Sequence, residues 1–158
     1  MTSAWWLDAS QQACWNLVAD AHRWPRWWRS IPSVGPLPRL AEPMGQWRAW
    51  RALFGRPLRL LVGARLSEPC QLIEWQIRGD IDGNLTWVLA AAASGGCDVT
   101  CRWEVRPFLA NPALLRSLAC LVLERSHFGR MRACARDMGV ALECTSAPLR
   151  EWSGMTHR

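Results

Sequence analysis

Tyrosine and lysine are both missing from the 158 residues, and phenylalanine occurs three times. All nineteen basic side chains are therefore arginines. No apolar run approaches the roughly eighteen residues a bilayer-crossing helix requires, so no transmembrane segment is expected. The opening "MTSAWWLDAS" has neither a basic start nor a long apolar stretch, which argues against a secretory leader. The seven cysteines form no Cys-x-x-Cys pair and no Cys/His ladder, so no metal site is expected. Their odd number and irregular spacing fit buried thiols in a reducing compartment, and the expected location is cytoplasmic. There is no Gly-x-Ser-x-Gly elbow, phosphate-binding glycine loop, dinucleotide fingerprint or His-Glu-x-x-His pair. Each of these carries one chemistry, and without them no cofactor is expected.

The net charge of +6 raises the question of nucleic acid. The arginines are spread from Arg23 to Arg158, one or two per segment. Tracking a phosphate backbone needs them dense on one face, so a solvated surface is the reading and no nucleic-acid partner is expected.

What the chain has in excess is tryptophan: twelve residues, three of them within "WPRWW" at 24–28. The length suits one domain with a substantial core. "SAWWLD" reads as a strand. "DASQQACWNLVAD" reads as a helix capped by Ser10 or Asp8, and a second short helix is expected to start near Pro25. A strand-rich middle follows. "SVGPLPRL" carries two prolines and suits an edge. "GQWRAWRALF", "PLRLLVGARLSE", "QLIEWQIRG", "NLTWVLAAAA" and "CDVTCRWEVR" alternate with period two, and Asp82-Gly83 is the expected hairpin turn. Short turns between them imply an antiparallel sheet. After Asn111 and Pro112 the period changes to that of a helix, which runs to about Leu142 with a bend expected near Gly129. Residues 1–144 are expected to form the domain, and 145–158 a C-terminal tail without periodicity that rests on the surface or frays.

This order of elements carries a resemblance. "WWLDASQQACWNLVADAHRWPRWWRSI", "GDIDGNLTWVL", "DVTCRWEVR" and "RSHFGRM" are together similar to bacterial polyketide cyclase/dehydrase-like proteins of the START/Bet v 1-like (SRPBCC) superfamily. The resemblance spans about residues 3–143. It implies an α+β helix-grip fold: a curved, seven-stranded antiparallel sheet wrapped around a long C-terminal helix, with two short helices after the first strand and a cavity between sheet and helix. It also implies a hydrophobic ligand of lipid or polyketide type. In that layout Trp24, Trp27 and Trp28 would plug the junction between the helical corner and the long helix.

Trp75, Trp87 and Trp103 occupy the apolar faces of three strands, and either fill the core or line a pocket. On the last helix Glu124, His127, Phe128 and Met131 share a face at i, i+3, i+4, i+7 spacing. His127 matches the histidine of the resembled helix. It is either a histidine satisfied by Glu124 or a carbonyl, or a polar handle on the ligand, and a neighbouring Glu124 would raise its basicity. Arg51 or Arg48, on opposite faces of one strand, would hold a ligand carboxylate or enolate if it points inward. The same ambiguity applies to Trp47 and Trp50.

Three functions follow. The first is binding of a hydrophobic small molecule by Trp75, Trp87, Trp103, His127, Phe128, Met131 and Arg51. The second is a cyclase or dehydratase with His127 as acid/base, aided by Glu124; the lack of tyrosine removes the phenolic acid that cyclase mechanisms of the resembled family often invoke. The third is a co-chaperone-like or membrane-associated module whose aromatic corner is the contact surface. Monomer and homodimer both remain open.

Overall fold

The computed structural model describes residues 1–31, 34–36, 44–51, 57–79, 81–107 and 113–152, with side chains described for 1–31, 60–79, 81–105, 124–147 and 150–152. The chain begins with β1 (Thr2–Leu7) and α1 (Gln11–Val18). Ser10 caps α1, its hydroxyl accepting from the Ala13 N–H at 3.2 Å, and Cys14 and Val18, one turn apart, are its buried face. A 3-10 turn (Ala21–Arg23) then leads into α2 (Trp24–Trp27). Trp24 is helical (φ −56°, ψ −40°) although Pro25 follows it. The 3-10 turn, capped by Asp20 through the His22 N–H, carries the chain into that conformation.

Six strands follow: β2 (Val34–Pro36), β3 (Met44–Arg51), β4 (Pro57–Glu68), β5 (Leu72–Gly79), β6 (Ile81–Ala91) and β7 (Cys97–Pro107). The long helix α3 (Ala113–Ala141) passes Gly129 without interruption, and Asn111 and Pro112, expected to start it, lie outside the described residues. Seven antiparallel strands before one long helix is the expected helix-grip order. An eighth strand, β8 (Ser146–Trp152), is added after it.

The sheet order is β2-β3-β4-β5-β6-β7-β1-β8. Register shifts at Ala49/Arg51, Ala64/Leu66 and Ala4/Trp5 interrupt the ladders, and such bulges bend a sheet. The core lies between the concave face and α1, α2 and α3. Its sheet side is the alternating set the sequence announces: Ile73, Trp75 and Ile77 on β5, Leu85, Trp87 and Leu89 on β6, Val99, Cys101 and Trp103 on β7, all buried.

Two expectations are corrected. The hairpin between β5 and β6 reverses at Gly79, whose φ of 127° only glycine adopts readily, and Asp82 holds the turn by accepting from the Gly79 N–H at 3.1 Å. Gly83 is inside β6, opposite Val105. A Cβ there would lie 2.0 Å from the Glu104 carbonyl oxygen, so this glycine serves a close approach of strands and not the turn. The second correction concerns the segment read as a tail from Thr145. Residues 146–152 pair with the open edge of β1, from Leu7↔Ser146 to Thr2↔Trp152. Pro148 sits opposite Trp5 at the bulge, on an edge strand where a missing N–H is tolerated. A bidentate ion pair from Arg132 on α3 to Glu151 (2.6 Å at its shortest) ties β8 to the helix.

Candidate functional site

Strand register puts the interior side chains in rows. Trp75, Leu85 and Trp103 form one row across β5, β6 and β7. Ile73, Trp87, Cys101 and Ser3 form the next, and Leu89, Val99 and Trp5 a third. Above Trp103 sits His127 of α3, its ring centroid 5.8 Å away and edge-on at 70°. Phe128, half-buried, meets His127 at 5.3 Å, and Met131 is 1% exposed one turn further on. Of the ligand-site residues expected from sequence, Trp75, Trp87, Trp103, His127 and Met131 are thus all interior. The side chains of Arg51, Arg48, Trp47 and Trp50 lie outside the described residues; the backbone of Arg51 pairs with Pro57 near the end of β3.

The "WPRWW" corner resolves into three roles. The Trp24 and Trp27 indoles donate back to α1, to the carbonyls of Val18 and Leu17, each at 3.2 Å. Trp28 stacks on Trp27 (5.6 Å, 15°) and meets Trp87 edge-on at 5.8 Å. Trp87 in turn meets Trp5 at 5.9 Å and 89°, while Trp24 touches both Trp28 (5.6 Å) and Trp75 (5.3 Å). The result is a continuous chain of rings from β1 through the corner to β5. Each such pair adds about 0.5–1.5 kcal/mol beyond area burial. The corner is an anchor, as expected, and α3 fastens it: Asp137, 8% exposed, accepts from the Arg29 N–H at 3.0 Å.

His127 departs from the sequence reading. It is 1% exposed, and neither ring nitrogen has a hydrogen-bond partner among the described residues. Glu124 does not reach it. Burial, with smaller contributions from the N-terminal amine and Arg130, pushes its pKa down to about 3. At neutral pH it is therefore an uncharged imidazole with one donor and one acceptor nitrogen. The N-terminal amine lies on the same side, donating to the Trp103 carbonyl at 3.0 Å. Cys101, in the middle row, is fully buried and its thiol is pushed up by desolvation, so it stays protonated. Among the described residues no cluster of His, Cys, Asp and Glu fits a metal ion.

Sequence reasoning passed over Trp5, Ser3 and Asp137. Trp5 alternates with Leu7, a signal for one buried face, but with Trp6 adjacent the face is ambiguous. Ser3 lines the interior, and its hydroxyl has no partner among the described residues. Asp137 is a lone acid between Cys134 and Met138 on the apolar stripe of α3, which is a readable sign of a buried contact.

Several solved structures share this fold. A START superfamily protein from Mycobacterium smegmatis aligns with a TM-score of 0.69 and 12% identity, covering 90% of this chain and 96% of its own. The Zhui aromatase/cyclase from Streptomyces sp. R1128 aligns at 0.62 and 13% identity, with 90% and 91% covered. A Thermus thermophilus protein aligns at 0.64 and 16% identity, with 89% and 97% covered. The search of curated proteins gave no match. The family described as polyketide cyclase / dehydrase and lipid transport matches residues 6–139, and with the START-like helix-grip architecture around it, the chain belongs to that family.

Proposed function

We propose that this protein binds a hydrophobic small molecule, lipid-like or polyketide-like, between the inner face of the sheet and α3. The observation that carries the reading is His127: a buried imidazole with neither nitrogen matched among the described residues, set over Trp103 and beside Phe128 and Met131. A buried polar group without a partner is costly, and a native interior normally supplies one. A bound oxygen-bearing ligand supplies it here, while the indoles provide the apolar contact that drives binding. Arg51 is assigned to the same site as an anchor for a ligand carboxylate or enolate. The six described cysteines are free, which supports a cytoplasmic location.

A second reading is catalysis, a cyclase or dehydratase step with His127 as the acid/base and Glu124 in support. The presence of an aromatase/cyclase among the similar folds favours it. A base with a pKa of about 3 is poorly matched to neutral pH, so binding is the better-supported role. Trp24, Trp27 and Trp28 are buried, so these three rings offer no contact surface, and no described helix is long and apolar enough to cross a membrane.

Native mass spectrometry of the purified protein tests the proposal, together with thermal shift against a panel of fatty acids, sterols and aromatic polyketides. A co-purifying or stabilising apolar compound is expected, with affinity reduced in His127→Ala. If nothing co-purifies and no compound shifts the melting temperature, the binding reading is wrong. A loss of turnover by about 10²–10⁴-fold in His127→Ala, on a β-keto chain that the wild type converts, would establish the catalytic reading instead.

A further inference from the structure

Two cysteines far apart in sequence meet at one end of the sheet. Cys14 lies on the buried face of α1, its N–H bonded to the Ser10 carbonyl. Cys97 opens β7, paired with Leu7 on one side and Ala91 on the other. Both are buried, and both are free. Their sulfurs hydrogen-bond to each other, with the Cys14 thiol donating. The Ala90 N–H also donates to the Cys97 sulfur, which lies 3.6 Å from the Asp98 carbonyl oxygen. A hydrogen-bonded pair of thiols brings its sulfurs within a side-chain rotation of the covalent distance.

The arrangement also assigns the two sulfurs different chemistry. Chiefly the bond from Cys14 favours the thiolate of Cys97, and the same bond keeps Cys14 protonated. Cys97 is thus the nucleophile of the pair and Cys14 its resolving partner. Access is short: the turn just before Cys97 is exposed at Ala93, Ser94 and Gly95 and is closed by two backbone bonds between Ala92 and Gly95–Gly96. Such a turn opens locally at little cost. Cys144 is also near Cys14, but burial pushes its thiol up. Cys101 and Cys134 neighbour each other deep in the core, where desolvation keeps both protonated.

We propose that Cys14 and Cys97 form a modification site: a reversible disulfide, made by oxidants of the peroxide class, that staples α1 to the head of β7. The Cys97 thiolate attacks one peroxide oxygen, the O–O bond breaks, and the released hydroxide takes up a proton as water. Cys97 is then a sulfenic acid, oxidised by two electrons. The Cys14 sulfur attacks it, the S–S bond forms and the S–O bond breaks. The departing hydroxide leaves with the Cys14 proton as a second water. Small thiols reverse the bond by exchange.

The test treats the whole wild-type chain with hydrogen peroxide and maps its peptides without reduction. Two of the seven thiols should be lost, in a Cys14–Cys97 cross-linked peptide that dithiothreitol releases. The oxidised form should melt about 5–15 °C higher. In Cys14→Ser, which removes the resolving thiol, dimedone should label Cys97. Because that variant alters a packed position, the wild-type map decides if it does not fold. A disulfide joining any other pair, or oxidation that leaves Cys14 and Cys97 both alkylatable after unfolding, overturns the proposal.

Discussion

The carboxylate of Asp137, on α3, holds the backbone N–H of Arg29 at 3.0 Å, although 108 residues separate them in sequence. The Arg29 guanidinium is also near, 3.6 Å from the other carboxylate oxygen, but its side chain is 83% exposed. The two contacts therefore differ in worth. Asp137→Ala leaves a partly buried N–H unmatched and should cost about 1–3 kcal/mol. Arg29→Ala keeps that bond and should cost under about 1 kcal/mol, as for exposed ion pairs. Urea unfolding of both variants checks the order; equal losses would mean the guanidinium, and not the backbone, is what Asp137 serves.

Two glycines make opposite predictions. Gly83→Ala drives a methyl into the Glu104 carbonyl at 2.0 Å. Backbone cannot yield as a side chain does, so a loss of about 1–3 kcal/mol or more is expected. Gly129, in α3, has nothing within 4 Å of an added Cβ. There alanine should stabilise by about 0.5–1 kcal/mol through helix propensity. Thermal melts of the pair would show shifts of opposite sign.

The ring chain predicts that Trp87→Ala is among the most damaging single changes. Trp87 is fully buried and touches both Trp5 and Trp28. Truncation should cost about 3–5 kcal/mol. Trp152→Ala, at a half-exposed ring on the outer strand, should cost under about 1 kcal/mol. Denaturant midpoints measured side by side decide the comparison.

His127 makes stability depend on pH. Its folded pKa, about 3, lies below the 6.5 of a free histidine. Between these values the unfolded chain takes up a proton that the folded chain refuses, so stability falls as pH drops through that window, by about 1.4 kcal/mol per unit. Above about 6.5 both states are neutral and the contribution is constant. His127→Leu should flatten this part of the profile, read as the difference in urea midpoints between pH 7.5 and pH 5. A slope unchanged by the substitution would show the imidazole reaching water.

Much of the architecture is written in periodicity. β5, β6 and β7 alternate cleanly because one face is buried against helices and the other meets solvent, and α3 declares itself through Met131, Ala135 and Met138. β8 was illegible for a physical reason: Pro148 and the bulge opposite Ala4/Trp5 break the period-two pattern, and an edge strand needs little burial to form. Asp82-Gly83 misled because glycine serves both a turn and a close approach, and only the neighbouring strand tells which. For the site, spacing placed His127, Phe128 and Met131 on one face, but not the state of the imidazole. Glu124, three residues back, suggested an ionic partner; burial, which spacing does not report, decided otherwise.

The position of β1 has a consequence for how the chain comes together. The strand β1 is an inner member of the sheet, and both its neighbours, β7 and β8, lie far from it in sequence, beyond the five strands β2 to β6. Its hydrogen-bonding groups and the Trp5 ring have no docking place until those distant strands are in position, so local segments cannot complete this part of the sheet by themselves. Such long-range pairing predicts slow, all-at-once maturation, with sticky aromatic surface on offer until the distant strands meet.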